Sequence, residues 1–348
     1  MHLDLWQALA GAIVGFTVGL TGMGGGALMT PILVLFFGVN PGTAVSSDLL
    51  SSLVMKPVGA SVHFHKGTVN WDLARWLAVG SVPAAFAGVF VLRRLGSGPT
   101  VANDMKTLLG WALLVAALAM VAKSFLTYRS RSRPGPTEEA EIRIKRIATV
   151  MIGLAGGLIV GMTSVGSGSL MIVMLLLLYP RLSSRRLVGT DLVQAIPLVG
   201  AATLSHALFG HIDLGLTASL LVGSLPGVYI GAHVSSRAPD FIIRPALVVI
   251  LLLSALKLLN VNNTALAWTV AVLVLVGAPL WAATEAALRP EWQWKGAGRR
   301  RTVWVTALSV AAPFGIGFPI AISYVGTARR QLRAVAPPIG LPAPTALA

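Results

Sequence analysis

The segment Gly19-Leu-Thr-Gly-Met-Gly-Gly-Gly-Ala-Leu-Met29 recurs as Gly161-Met-Thr-Ser-Val-Gly-Ser-Gly-Ser-Leu-Met171, each copy inside a long apolar stretch. The offset is 161 − 19 = 142 residues. Glycine clusters weaken a helix, because each costs about 1 kcal/mol relative to alanine and leaves backbone groups free. In hydrocarbon such freed groups are tolerated only where they are buried in protein or line a cavity. A matched pair of Gly-interrupted apolar segments is therefore a pointer to the substrate site of a transporter. The chain is expected to be an all-α, polytopic membrane protein.

Composition agrees. Hydrophobic residues make up 55% and charged residues 11%, against about 25% charged in a soluble domain. Apolar runs lie near 8–37, 45–64, 73–92, 105–127, 147–179, 187–209, 214–234, 243–260, 264–284 and 303–326. A spanning helix needs about 20 mostly apolar residues. The runs 8–37 and 147–179 exceed one crossing and carry the glycine motif in the middle. Each is one tilted helix or two short limbs around a break, and two limbs are favoured. The net charge of +15 resides mostly in loops between apolar runs. That distribution fits the positive-inside rule and anionic headgroups, so the bilayer, and not nucleic acid, is the expected partner. Without cysteine there are no disulfides or thiolate metal sites. No cofactor or metal is expected. Met1-His-Leu-Asp-Leu-Trp6 lacks the basic start of a cleavable signal peptide.

The duplication extends beyond the glycines. Gly67-Thr-Val-Asn-Trp-Asp-Leu73 matches Gly210-His-Ile-Asp-Leu-Gly-Leu216 at an offset of 143, and Val79-Gly-Ser-Val-Pro83 matches Val222-Gly-Ser-Leu-Pro226. Asp48 falls on Asp191, and His63 on His206. Repeats of this kind mark a two-fold transporter scaffold. The expected organisation is a first repeat over 1–127, a basic linker over 128–146, a second repeat over 147–262, additional membrane helices over 263–326 and a disordered tail over 327–348. Charge bias puts the linker in the cytoplasm. If each Gly-interrupted run crosses twice, a repeat has an odd number of crossings and the two repeats lie inverted. The loop Pro180-Arg-Leu-Ser-Ser-Arg-Arg186 then faces the cytoplasm, as the rule prefers, although Arg93 and Arg94 fall outside. The last apolar run holds Pro313, Gly315, Gly317 and Pro319, so it bends, spans or re-enters.

Half-helices ending at Thr21-Gly-Met-Gly-Gly-Gly26 and Thr163-Ser-Val-Gly-Ser-Gly168 would present free N–H groups and positive dipole ends, which favour an anion. Candidate substrate ligands are Thr21, Gly24, Gly25, Gly26, Thr163, Ser164, Gly166, Ser167 and Gly168. The competing explanation is that small residues merely let helices pack closely. Asp48 and Asp191 are candidates for coupling, since carboxylates inside a membrane are costly; Ser46-Ser47 before the one and Gly189-Thr190 before the other also fit a helix N-cap. Lys56, eight residues after Asp48, would pair with it, attract an anion or snorkel to an interface. Its counterpart at an offset of 143 is Val199. His63 and His206 complete the coupling candidates, with interfacial or structural roles as the alternative.

The Gly-x-x-x-Gly run from Gly11, its echo in 153–171, the His-x-x-x-Gly pattern after His63 and the Val-Gly-Ser-x-Pro helices resemble the TauE/SafE sulfite exporter family over about residues 8–260. The resemblance implies a multi-pass carrier of the cytoplasmic (inner) membrane for a small anion such as sulfite or a sulfonate, with the glycine breaks as its core motifs. Many members carry Thr-Ser where this chain has Ser47-Asp48 and Thr190-Asp191, and the extension past 262 exceeds the usual length. Export of a sulfur-containing anion is thus the leading expectation, and a permease for another anion, uptake included, the alternative. A membrane-embedded enzyme is not expected, because neither a His-Glu-x-x-His helix nor a Gly-x-Ser-x-Gly elbow occurs. A homo-oligomer is left open.

Overall fold

Glycine spacing decides which helices touch. The computed structural model describes residues 4–334 except 22–24, 66, 68, 95–98, 132–143, 181, 183, 210–211, 235–239, 290 and 315. Among the described residues every regular element is helical, and the chain divides after Asn260 into two units.

The first unit holds α1 (Leu5–Thr21), α2 (Gly26–Phe36), α3 (Pro41–His65), α4 (Trp71–Arg94), α5 (Pro99–Arg131), α6 (Arg146–Thr163), α7 (Leu170–Leu178), α8 (Ser184–Phe209), α9 (Leu214–Val234) and α10 (Asp240–Leu258). Five stretches in it are long and apolar enough to cross a bilayer, the first being Trp71–Leu92 and the last Leu214–Gly231. Large apolar side chains such as Leu5, Ile13, Trp111, Leu118 and Ile147 point outward, as a hydrocarbon-facing surface requires. Met29, Leu33, Leu49, Leu77, Leu113 and Leu175 are buried in the core.

Helix α4 packs along α6, and α1 along α9, at backbone contact. A methyl group built on Gly153, Gly157 or Gly161 would lie 2.4, 2.3 or 2.2 Å from the carbonyl oxygen of Leu77, Ser81 or Ala85. Both partners advance four residues at each contact, so α4 and α6 run parallel. The pair α1 and α9 repeats the arrangement, with Gly11 on Leu220 and Gly15 on Ser224. The register is the same set shifted: 153 − 11 = 142 and 220 − 77 = 143. Small residues here bring helices close enough for dispersion contacts to hold them in a medium with no hydrophobic drive between helices. Leucine at Gly157 must part α4 from α6, and is expected to destabilise the protein by about 1–3 kcal/mol. Thermal unfolding in detergent measures it, with Gly326→Leu as the silent control, since nothing lies within 4 Å of a methyl group there.

Helix α8 also runs parallel to α4. The Asn70 N–H donates to Thr190 Oγ1 at 2.9 Å, Gln194 Nε2 to Ser81 Oγ at 2.6 Å, and Ser205 Oγ to the Phe86 carbonyl at 2.8 Å, both chains advancing together. Helices α6 and α8 therefore share one direction, with α7 between them.

The second unit holds α11 (Asn263–Val272), a π-helical segment (Leu273–Gly277), α12 (Ala278–Leu288), α13 (Glu291–Gly296), α14 (Arg301–Ala311), α15 (Gly317–Ser323), a second π-helical segment (Tyr324–Ala328) and α16 (Arg329–Ala334). Asn263–Ala287 is long and apolar enough to cross a bilayer. The run 303–326 is interrupted between Ala311 and Gly317 by a single 3-10 turn. Helix α16 falls within the stretch expected as tail, and Leu332 on it is buried; residues 335–348 lie outside the described residues. A carboxylate organises this unit. Glu285 accepts from Arg289 at 2.5 Å, from Arg329 at 3.3 Å and from the Tyr324 hydroxyl, while Arg289 also donates to Gln293 at 3.1 Å. Charges withdrawn from water need such partners on every side.

Candidate substrate site

The second glycine motif falls between helices, whereas residues 22–24 of the first lie outside the described residues. Helix α1 ends at Thr21 and α2 begins at Gly26; α6 ends at Thr163 and α7 begins at Leu170. The second interruption shows how the residues produce it. The Thr163 hydroxyl donates to the Ile159 carbonyl at 2.6 Å and accepts from the Val165 N–H at 3.2 Å, closing the last turn. Ser164 then takes the left-handed conformation at φ 60°, followed by Gly166 at +117° and Gly168 at +100°. Such angles are open to glycine and strained for a serine. With 9 residues α7 is about 14 Å long, and with 11 residues α2 is about 16 Å, against about 30 Å of hydrocarbon.

The start of α2 meets the end of α6. A methyl group on Gly26 would lie 1.9 Å from the Ser164 carbonyl oxygen, so the start of α2 abuts the end of α6 backbone to backbone. Gly25 faces α3: a methyl group built on it would lie 3.2 Å from the Met55 methyl, 3.7 Å from Ser52 Oγ and 3.8 Å from Asp48 Oδ1.

From α3 come the charges. Asp48 is fully buried and accepts from Thr30 Oγ1 at 2.7 Å and, at a longer 3.5 Å, from Ser52 Oγ. The Ser164 hydroxyl also bonds it. Two turns on, Lys56 is buried and its Nζ donates to Ser167 Oγ at 2.7 Å, reaching from the first sequence half into the glycine motif of the second. The ammonium interacts electrostatically with both Asp191 and Asp48. Neither aspartate is an N-cap: α3 begins at Pro41 and α8 at Ser184, each seven residues earlier.

Of the residues expected from sequence, Gly25, Gly26, Ser164, Ser167, Asp48, Lys56 and Asp191 are therefore brought together. Thr163 spends its hydroxyl proton on its own helix. The side chains of Thr21 and His63, and all of Gly24, lie outside the described residues. His206 is buried with Nε2 2.9 Å from the Gly161 carbonyl oxygen, holding α8 against α6. Two participants went unforeseen. Ser52 follows Asp48 by four residues and shares its helix face, a spacing visible in sequence. Thr30 gave no such signal, since its partner is 18 residues away.

Chemically, the cluster offers one ammonium with three donors, only one of them used on Ser167, two serine hydroxyls and a sharply turned backbone. Charge-assisted bonds of this kind hold an oxyanion. The carboxylates of Asp48 and Asp191 attract the ammonium and compete with any anion for it.

The chain matches the family described as sulfite exporter TauE/SafE over residues 7–258. It is 38% identical over 252 residues to the probable membrane transporter protein YjnA of Bacillus subtilis (strain 168), covering 72% of this chain and 98% of that protein. The probable membrane transporter protein YdhB of the same organism is 25% identical over 239 residues, covering 68% of this chain and 91% of YdhB. A probable membrane transporter protein of Xylella fastidiosa (strain 9a5c) is 26% identical over 230 residues, covering 66% and 83%. No solved structure matches the chain.

Proposed function

The chain belongs to the sulfite exporter TauE/SafE family of membrane transporters, and on that premise we propose that it is a secondary carrier exporting a small sulfur-containing anion, sulfite or a sulfonate, across the cytoplasmic membrane. The Lys56–Ser167 bond carries this reading: it places the cation of α3 where the two interrupted segments touch. The anion takes the ammonium and the hydroxyls of Ser164 and Ser167, exchanging one set of charge-assisted bonds for another.

The repeats are inverted. Supporting this, α6 and α8 run in one direction with only α7 between them, so α7 returns through part of the membrane and α8 departs again. Five elements then make a repeat, and the next one starts from the opposite face. The linker 128–146 is cytoplasmic in this arrangement, and so is the start of α4, which lies beside the start of α6. The inside-negative potential favours outward movement of an anion by about 2.3 kcal/mol per charge per 100 mV.

A permease for a different anion is the second reading. It is favoured by Asp48 and Asp191, two buried carboxylates that alter the charge a substrate meets.

Efflux of sulfite, thiosulfate and a panel of sulfonates from proteoliposomes distinguishes them. Saturable efflux of one of these by wild type, lost in Gly25→Leu and Ser167→Leu with the protein still folded, is the expected result. A folded wild type that moves none of them refutes sulfur-anion export.

A further inference from the structure

We propose that the corner where α4 and α6 begin is a binding site for one anionic phospholipid of the cytoplasmic leaflet, its phosphate on Arg146 and Lys145 and an acyl chain in the trough below. The leaflet rests on the topology proposed above; the binding does not.

The trough has a volume of about 330 Å³ and is lined by Trp76, Arg146, Ile147, Val150 and Met151. Its mouth is cationic and its body apolar, which is the division of an amphiphile. The Arg146 guanidinium lies 5.2 Å over the Trp76 ring centroid, tying the mouth of α6 to α4. Tryptophan at this depth is the usual interfacial residue, and anionic headgroups draw basic residues at the cytoplasmic face. Ile147 and Met151 stand 82% and 58% exposed. The floor is fixed, because a methyl group on Gly80 would lie 2.2 Å from the Val150 carbonyl oxygen. Tyr179 secures the rim: its hydroxyl accepts from the Lys145 N–H at 2.9 Å.

The molecule contains its own control. At the offsets of the duplication, 146 − 142 = 4 and 76 + 143 = 219, so the matching corner of α1 and α9 holds Asp4 and Ser219. There the Asp4 N–H donates to Ser219 Oγ at 3.1 Å, and the Asp4 carboxylate caps α1 through the Trp6 N–H at 2.8 Å. An acid that serves its helix end is replaced, at the other corner, by two cations on an end whose dipole disfavours them. The scaffold therefore does not require Arg146 and Trp76. An anion at that corner compensates both the cations and the dipole.

Native mass spectrometry of the full chain, in mild detergent with equimolar palmitoyl-oleoyl phosphatidylglycerol and phosphatidylcholine, tests this without transport. Wild type is expected to retain phosphatidylglycerol over phosphatidylcholine by about fivefold or more. Arg146→Gln should lose that preference, and Met151→Ser should retain less of both lipids, while Asp4→Asn changes neither. Should Arg146→Gln fail to fold, Lys145→Gln at the exposed neighbouring position reads the same preference. Equal retention of the two lipids by wild type, or an undiminished preference in the folded variants, overturns the proposal. So does a wild-type dimer that Met151→Ser splits with no change in bound lipid, which would make a second copy the occupant.

Discussion

Lys56→Met is expected to weaken anion binding by more than about thirtyfold, equivalent to about 2 kcal/mol, and to destabilise the fold by about 3–5 kcal/mol. Methionine keeps the length and apolar stem, so the loss is one of charge. The ammonium donates to Ser167 at 2.7 Å and faces two buried carboxylates, Asp48 and Asp191. Without it each carboxylate loses its cation and repels any anion. The two effects separate in the double variant Lys56→Met/Asp48→Asn. Removing one negative charge should recover much of the stability, measured by thermal unfolding in detergent, and none of the efflux. Recovery of efflux would show that Lys56 only offsets Asp48. An unaltered single variant would remove the cation from the site altogether.

Gly26→Val should be as damaging by a different route. Its Cβ would sit 1.9 Å from a backbone carbonyl oxygen, that of Ser164, and neither backbone can yield without moving a helix end. Efflux is expected to fall on the order of a hundredfold, the loss that follows when reacting or binding groups shift by an ångström. Gly25→Ala provides the contrast. The nearest atom there is the Met55 methyl at 3.2 Å, the far end of a flexible side chain, so efflux should survive. Proteoliposome flux on both variants, with size-exclusion profiles as the folding check, decides it. Equal loss in the two would mean that bulk anywhere in the motif matters, and not the junction with Ser164.

Glycine positions were the most legible part of the chain, because a glycine cluster in an apolar run has few uses. Sequence could not sort those uses, and the structure does. Gly11, Gly15, Gly26, Gly153, Gly157 and Gly161 bring backbones together, as the packing alternative holds, whereas Gly166 and Gly168 take the positive φ of the turn between α6 and α7. Asp48 and Asp191 looked like caps because Ser and Thr precede them; the helices start seven residues sooner, a boundary that weak local propensity leaves undefined. Lys56 was the hardest to place. The duplication pairs it with Val199, so symmetry predicted nothing, and its hydroxyl partner is 111 residues away. The Glu285 network in the second unit was invisible for the same reason, its members spanning 44 residues between Glu285 and Arg329.

Each glycine-lined seam joins one helix from each sequence half: α1 to α9, and α4 to α6. Swinging one repeat against the other as intact blocks would peel both seams open, where carbonyl oxygens meet glycine Cα atoms with no side chain between. Any block that moves with its seam intact is thus chimeric, α4 with α6 or α1 with α9, and a gene cut at the linker would yield two pieces, each holding one side of both seams.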